Sequence, residues 1–206
     1  MTGTAPRAQG GFPEVKAADY APPGLDRFVA AMRRLQDLTV STNPDESAWA
    51  IAAQHVENAC VLLDGHQVPE GQAPAGRLLE VPGLGHPLLP PWTLAESGPD
   101  GVTMHGHFTR SHVGGNNAVH GGMIPLLYDW LFGMVVSTAN YSATRTGFLH
   151  VDYRNITPID EPLTASGRVT ETEGRKVFVS AAMVAGDGTL LSEATGLMVK
   201  LLPHQP

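Results

Sequence analysis

An α+β fold, with an antiparallel sheet wrapped around one long helix, is what this sequence predicts, and three observations predict it. The stretch "NNAVHGGMIPLLYDWLFGMVV", Asn116 to Val136, is apolar over helix length and broken by a single charge, Asp129. Strand-like segments flank it, one before and four after, rich in β-branched or aromatic residues. The connections late in the chain are too short for parallel crossovers: "EGR" and "GDGT" are hairpin signals, so the last three strands form an antiparallel meander. A helix apolar on nearly every side needs cover on nearly every side, and a curved sheet supplies it.

Taken in order, residues 1–24 are rich in Gly, Pro and Ala without periodicity and read as a mobile tail. Residues 25–64 read as a helical extension. In "LDRFVAAMRRLQDL" the apolar residues Leu25, Phe28, Val29, Met32 and Leu35 repeat on one helical face. In "NPDESAWAIAAQHVENACVLLD" Asn43 is the expected N-cap and Pro44 the first helical residue, with Trp49, Ile51, Ala52, Val56 and Leu62 expected to pack inside. Cys60, the only cysteine, is expected to pack there as a small apolar residue; alone it builds neither a disulfide nor a cysteine-rich metal site. Residues 65–100 carry many Gly and Pro, including "PGLGHPLLPPW", and read as a linker or wrapping arm without regular structure. The sheet is expected over 101–206: "GVTMHGHFTR" with period two, then, after the central helix, "RTGFLHVDYRNI", "LTASGRVTETE", "RKVFVSAAMVA" and "LLSEATGLMVKLL".

Composition narrows the functional classes. Thirteen Lys/Arg against twenty Asp/Glu give a net charge of −7, which disfavours nucleic acid or an anionic membrane as the main partner. The charge is uneven, with six basic and twelve acidic residues in 1–100 but seven and eight in 101–206. The second half therefore repels an anionic ligand far less than the average implies. Asp129 and Pro125 interrupt the best membrane-spanning candidate, and the N-terminus lacks the apolar core of a secretion signal, so a cytoplasmic protein without a membrane span is expected. His105 and His107 share one side of a strand with no carboxylate or Cys at ligand spacing, so no metal is expected there; His112 and His150 read alike.

Chemistry concentrates in the opening stretch. Gly121 and Gly122 at the helix start leave backbone N–H groups free at the positive end of the dipole, where a developing negative charge is stabilised. Pro125 fits the first turn. Gly122, Leu126, Asp129, Gly133 and Val136 share a stripe, so Asp129 faces a surface partly cleared by Gly133. Asp129 lies eight residues past Gly121, about 12 Å along a helix. A catalytic carboxylate and an oxyanion donor must both lie about 3 Å from the reacting group. One copy of the helix does not bring them together, whereas two antiparallel copies across a two-fold axis do. The spacing therefore predicts a homodimer, or a dimer of dimers, with sites at the subunit interface.

The segments "HGGMIPLLYD", "TRTGFLHVDYRNITPI", "EGRKVFVS" and "LLSEATGLMVKL" together resemble the hotdog-fold acyl-CoA thioesterases, in particular the phenylacetate-pathway-type group and the mammalian mitochondrial thioesterase-superfamily members. The resemblance covers about half the chain, from about Gly101 to Leu202. It implies a hotdog fold and hydrolysis of an acyl-CoA thioester in fatty acid metabolism, with acyl-CoA as substrate and no cofactor. Asp129 then takes the place of the acid that activates water or attacks the carbonyl, and Thr146 that of the hydroxyl positioning the water. The Gly121 amide corresponds to the oxyanion donor and His120 to the residue orienting the thioester and the turn, with Gly122 beside it on the substrate. Many such enzymes carry Asn six residues before the histidine and Gly three before it; this chain has Gly114 and Asn117 there, and Asn116 or Asn117 is left as the amide to reach the substrate carbonyl.

Further candidates are basic. Arg175 and Lys176 in "GRK" beside a turn suit CoA phosphates, and Arg145 and Arg154 are weaker candidates of that kind. Met123, Leu127, Trp130, Phe132 and Met134 suit either an aliphatic pocket or the core. An α/β-hydrolase is disfavoured because no G-x-S-x-G elbow and no βαβ rhythm occur. A hotdog dehydratase or hydratase and a noncatalytic acyl-CoA-binding protein remain as alternatives.

Overall fold

The computed structural model describes residues 21–69, 71–139, 141 and 143–202; most of the expected tail lies outside them. Helices α1 (Leu25–Ser41) and α2 (Glu46–Asp64) precede strands β1 (Thr93–Gly98) and β2 (Gly101–Gly106). A small hairpin of β3 (Val113–Gly115) and β4 (Ala118–Val119) leads into α3 (Met123–Thr138). Four long strands follow: β5 (Thr144–Tyr153), β6 (Leu163–Glu173), β7 (Lys176–Ala185) and β8 (Leu190–Lys200). The six-stranded sheet runs β1-β2-β6-β7-β8-β5, antiparallel throughout. The expected meander is present as β6-β7-β8, closed by turns at Gly174 and at Asp187–Gly188.

This is a hotdog architecture: α3 lies against the inner face of the sheet and touches β2, β5, β6, β7 and β8. Ile124, Leu127, Tyr128, Leu131, Phe132, Val135 and Val136 are buried there, opposite Val102, Met104, Ala165, Val177, Val179, Met183, Ala194 and Met198 from the strands. Each large side chain of this set contributes about 1.5–3 kcal/mol of apolar burial. Close approach depends on Gly196 of β8, where a Cβ would stand 2.7 Å from the Phe132 ring. Tyr128 sets the helix's rotation. Its Oη donates to the Ser192 carbonyl at 2.9 Å and bonds the Ser192 hydroxyl at 2.8 Å, and burial pushes its pKa up to about 12. With Tyr128 clamped to β8, the next residue, turned by about 100°, points toward β5.

The first half departs from the sequence expectation in three places. The arm ends in a strand, since Thr93–Gly98 pairs with β2, and Pro82–Gly85 is a tight turn in which Gly83 and Leu84 hold φ of 63° and 55°. The sheet therefore begins before Gly101. Helix α2 is capped by Asp45, whose side chain accepts the Ala48 N–H at 2.8 Å, rather than by Asn43; the carboxylate reaches the orphan amides from two residues closer, and Pro44 precedes the helix instead of opening it. Third, α2 buries no residue. Trp49, Ile51 and Leu62 are 40%, 60% and 72% exposed, and Cys60 is exposed with them rather than packed. Apolar composition alone does not supply a neighbouring surface, and none of the described residues buries α2. Helix α1, by contrast, docks: Val29 is buried, and Arg33 donates to the carbonyls of Leu89, Pro82 and His86, at 2.7, 3.1 and 3.1 Å, clasping the arm.

Candidate active site

The turn before α3 is built by the β3–β4 hairpin. Asn116 and Asn117 form its two-residue tip with φ of 50° and 58°, a left-handed pair that asparagine tolerates and that matches the twist of a hairpin. The Asn117 carboxamide oxygen accepts from Arg110 Nη1 at 3.0 Å, so this side chain is tied to the hairpin's own flank. At the hairpin's other end Gly114 lies under His120. A Cβ there would stand 2.7 Å from the His120 Cα, which explains glycine where many hotdog thioesterases carry Asn. The His120 N–H donates to the His112 carbonyl at 2.8 Å and the Val119 N–H to the Thr157 carbonyl at 2.9 Å, fixing the turn from two sides.

Within "HGG" the three residues divide the work. His120 Nδ1 accepts the Gly122 N–H at 3.0 Å, which assigns the ring proton to Nε2 and leaves the exposed imidazole as a donor. The Gly122 amide is thereby spent inside the turn. The Met123 N–H returns to the His120 carbonyl at 2.9 Å. The Gly121 N–H has no partner among the described residues, at a solvent-open helix start where an anion is favoured. The Gly121 carbonyl accepts from Tyr153 Oη at 2.8 Å, so Tyr153, at the end of β5, holds the peptide whose neighbour carries that free amide. Tyr153 was missed from the sequence; an aromatic in a strand reads only as β-propensity.

Asp129 faces Thr146. The threonine hydroxyl donates to Asp129 Oδ1 at 2.7 Å, a short charge-assisted bond that leaves Oδ2 and the hydroxyl's lone pairs available. Both residues are exposed in the single chain, so the carboxylate is not the buried charge that its apolar surroundings suggest. A Cβ at Gly133, one turn on, would meet nothing within 4 Å, so the surface beside Asp129 is open. Along this stripe Met123, Leu126, Trp130 and Met134 are only half covered, whereas Leu127 and Phe132 belong to the core.

The basic candidates separate into two groups. Arg145 shares a cross-strand row with Val199 and Lys176, and Arg175 sits at the adjoining hairpin tip, donating to the Lys200 carbonyl at 3.1 Å. These three lie at the end of the sheet where Thr146 stands; Lys176 also pairs with Glu173 at 3.0 Å. Arg154 lies at the other end of β5, bound to Glu193 at 2.9 Å and Asp152 at 3.1 Å. Two grooves of about 800 and 620 Å³ contain none of Gly121, Asp129 and Thr146. Among the described residues no group of three or more His, Cys, Asp or Glu is placed to hold a metal, and no helix is long and apolar enough to cross a membrane.

Residues 116–192, which contain the HGG turn, Asp129 and Thr146, match the thioesterase superfamily. Over that stretch the chain is similar to the thioesterase superfamily. Acyl-coenzyme A thioesterase THEM4 of Rattus norvegicus is 35% identical over 95 residues, 43% of this chain and 38% of that protein, and its Xenopus laevis counterpart 37% over 87 residues, 41% and 38%. The chain thus spans less than two fifths of the length of the curated relatives it matches. A crystal structure of a thioesterase superfamily protein superposes with a TM-score of 0.75 at 26% identity, covering 87% of this chain and 97% of that one. A thioesterase protein of Streptococcus pneumoniae solved with coenzyme A shares the fold at TM-score 0.50 and 18% identity, over 52% of this chain and 86% of its own. The segment similar to the thioesterase superfamily is thus embedded in a fold that the first of these structures shares over 87% of this chain.

Proposed function

We propose that this chain is an acyl-CoA thioesterase that acts as a homodimer with two shared active sites. The observation that carries the reading is the Thr146–Asp129 pair at 2.7 Å, open to solvent in a thioesterase-superfamily domain whose Gly121 N–H is free. In the proposed reaction Asp129 takes a proton from a water held by Thr146, and the water oxygen attacks the thioester carbonyl carbon. The oxyanion so formed accepts the Gly121 N–H of the second copy. Collapse breaks the C–S bond, giving the free acid and the CoA thiol, which takes up the proton. His120 Nε2–H serves as a second donor toward the thioester. Relatives of the domain are named acyl-coenzyme A thioesterases, and a structural neighbour was solved with coenzyme A, which supports the substrate class.

Two features support the dimer. Strand β5 is a sheet edge ten residues long with Phe148 47% exposed, and Ile156 just beyond it is 78% exposed; uncovered edges of this kind invite pairing. Antiparallel pairing of two β5 strands about an axis between Leu149 and His150 sets Thr146 across from the partner's Tyr153, the residue that holds the Gly121 peptide. The same arrangement covers the half-exposed stripe of α3. Arg145, Arg175 and Lys176 then bind CoA phosphates at the Thr146 end, while Arg154, bound to two carboxylates, is placed for structure rather than substrate.

The test is thiol release over acyl-CoAs of increasing chain length by wild type and Asp129→Asn. The asparagine keeps the Oδ1 acceptor for Thr146 but loses the base, and kcat is expected to fall about 10³-fold, within the range for general-base removal. Release of no CoA from any substrate by folded wild type would favour a noncatalytic acyl-CoA binder, and an undiminished mutant would remove Asp129 from the chemistry.

A further inference from the structure

The thioesterase match begins at residue 116 and leaves α1 without a role. Yet α1 makes a polar contact across 74 residues of sequence: Asp37 Oδ1 accepts the Ser111 N–H at 2.8 Å. Ser111 belongs to the single 3₁₀ turn Arg110–His112, which is closed reciprocally. The Thr109 side chain accepts the His112 N–H, and the Thr109 N–H donates to His112 Nδ1 at 2.8 Å. The carbonyl of that same His112 receives the His120 N–H at 2.8 Å. A short run of hydrogen bonds therefore joins a carboxylate on α1 to the peptide that precedes the free Gly121 amide.

We propose that Asp37 is a positioning residue for the oxyanion turn: from α1 it fixes the Thr109–His112 turn, whose carbonyl in turn sets the direction of the Gly121 N–H. The proposal rests on the thioesterase reading for its kinetic consequence and on geometry alone for its structural one. Burial by itself would raise the Asp37 pKa, but hydrogen bonds from Thr109 and Ser111, with the nearby His112, outweigh it and hold the carboxyl below its usual range. The turn thus receives an anion. Arg33, one helical turn earlier, anchors the same helix in the arm's carbonyls, so α1 is fixed before it acts on the turn. A contact serving only to dock α1 would, on removal, lower stability and leave kcat of the folded protein unchanged.

The experiment compares Asp37→Ala and Asp37→Asn with wild type in the full chain, by acyl-CoA kinetics and by amide proton–nitrogen spectra. Asp37→Ala is expected to lower kcat about ten-fold with KM changed less than about two-fold, as misdirecting rather than deleting a donor should. Asp37→Asn, which keeps an oxygen for the Ser111 N–H, should recover most of the loss. In the spectra the His120 and Gly121 resonances should move in Asp37→Ala, and to a smaller degree in Asp37→Asn. Full kcat in folded Asp37→Ala, or shifts confined to α1 and Ser111, would overturn the proposal. If Asp37→Ala does not fold, unmoved His120 and Gly121 resonances in Asp37→Asn overturn it instead. Should wild type hydrolyse no acyl-CoA, the thioesterase reading falls, while the spectra still decide whether Asp37 sets the turn.

Discussion

Complementation between two inactive variants tests the shared site directly. The perturbations are Asp129→Asn, which removes the base, and Gly121→Pro, which removes the oxyanion donor. Gly121→Pro costs no internal hydrogen bond, because the Gly121 N–H has no partner among the described residues, and a Cβ at that position would meet Tyr153 no closer than 3.6 Å. Each homodimer should retain about one hundredth of wild-type kcat or less, from loss of a general base or an oxyanion donor. Eight residues at helical rise separate the two groups by about 12 Å, so in the proposed dimer each site draws Asp129 from one copy and Gly121 from the other. After denaturation and joint refolding at equal amounts, about half the dimers are mixed, and each mixed dimer has one doubly damaged and one intact site. Thiol release per subunit should therefore return to about one quarter of wild type, far above either parent. Mixed dimers, proven by differently tagged chains, that show no activity beyond the parents would refute the shared site and require both groups to act within one chain.

Three further outcomes follow from the contacts described. Thr146→Val keeps shape but deletes the 2.7 Å bond to Asp129, so kcat should fall about 10²-fold while Thr146→Ser stays near wild type; equal activity in the valine variant would exclude the hydroxyl. Gly114→Ala drives a Cβ to 2.7 Å from the His120 Cα, and should lower kcat at least about ten-fold, a loss in keeping with displacement of the turn by a fraction of an ångström. Unchanged kinetics would mean that the hairpin does not position HGG. Tyr128 is neutral when folded, with its pKa at about 12 against 10.0, so its contribution of about 2–3 kcal/mol is complete below pH 10 and lost as pH rises toward 12. In urea melts from pH 8 to 12, Tyr128→Phe should be less stable than wild type at pH 8 and lack this alkaline loss; parallel curves would refute it.

What the sequence revealed was set by local rules. The β6-β7-β8 meander was legible because its turns are short and its strands alternate, and α3 because sixteen residues of apolar sequence lack another soluble reading. The Asp129–Thr146 pair was reached through the family resemblance, not through spacing, since nothing in a sequence separation of 17 positions says that a helix and an edge strand face each other. Strand β1 was hidden because Thr93–Gly98 is short, largely exposed and bulged at Leu94–Glu96, so it shows no alternation after a proline-rich arm. Helix α2 failed differently. Its composition is that of an interior helix, yet burial depends on a neighbouring surface, which the described residues do not provide.

The exchange of Asn and Gly before the histidine shows how such a difference becomes readable only in three dimensions. Taken as a list of site residues, Gly114 and Asn117 look like a lost amide and a displaced replacement. In the structure each obeys a backbone demand: Asn117 holds φ of 58° at a hairpin tip, and Gly114 yields the space that the His120 backbone fills. An Asn side chain at 114 would require the hairpin to stand farther from His120, and the His112–His120 bond that fixes the turn would lengthen with it. The chain instead keeps the turn close, and on the proposed reading the oxyanion is left to Gly121 and His120. The double variant Gly114→Asn/Asn117→Gly should therefore lose activity although it matches the commoner pattern. A gain in kcat would show that the missing amide, and not the packing of the turn, limits this site.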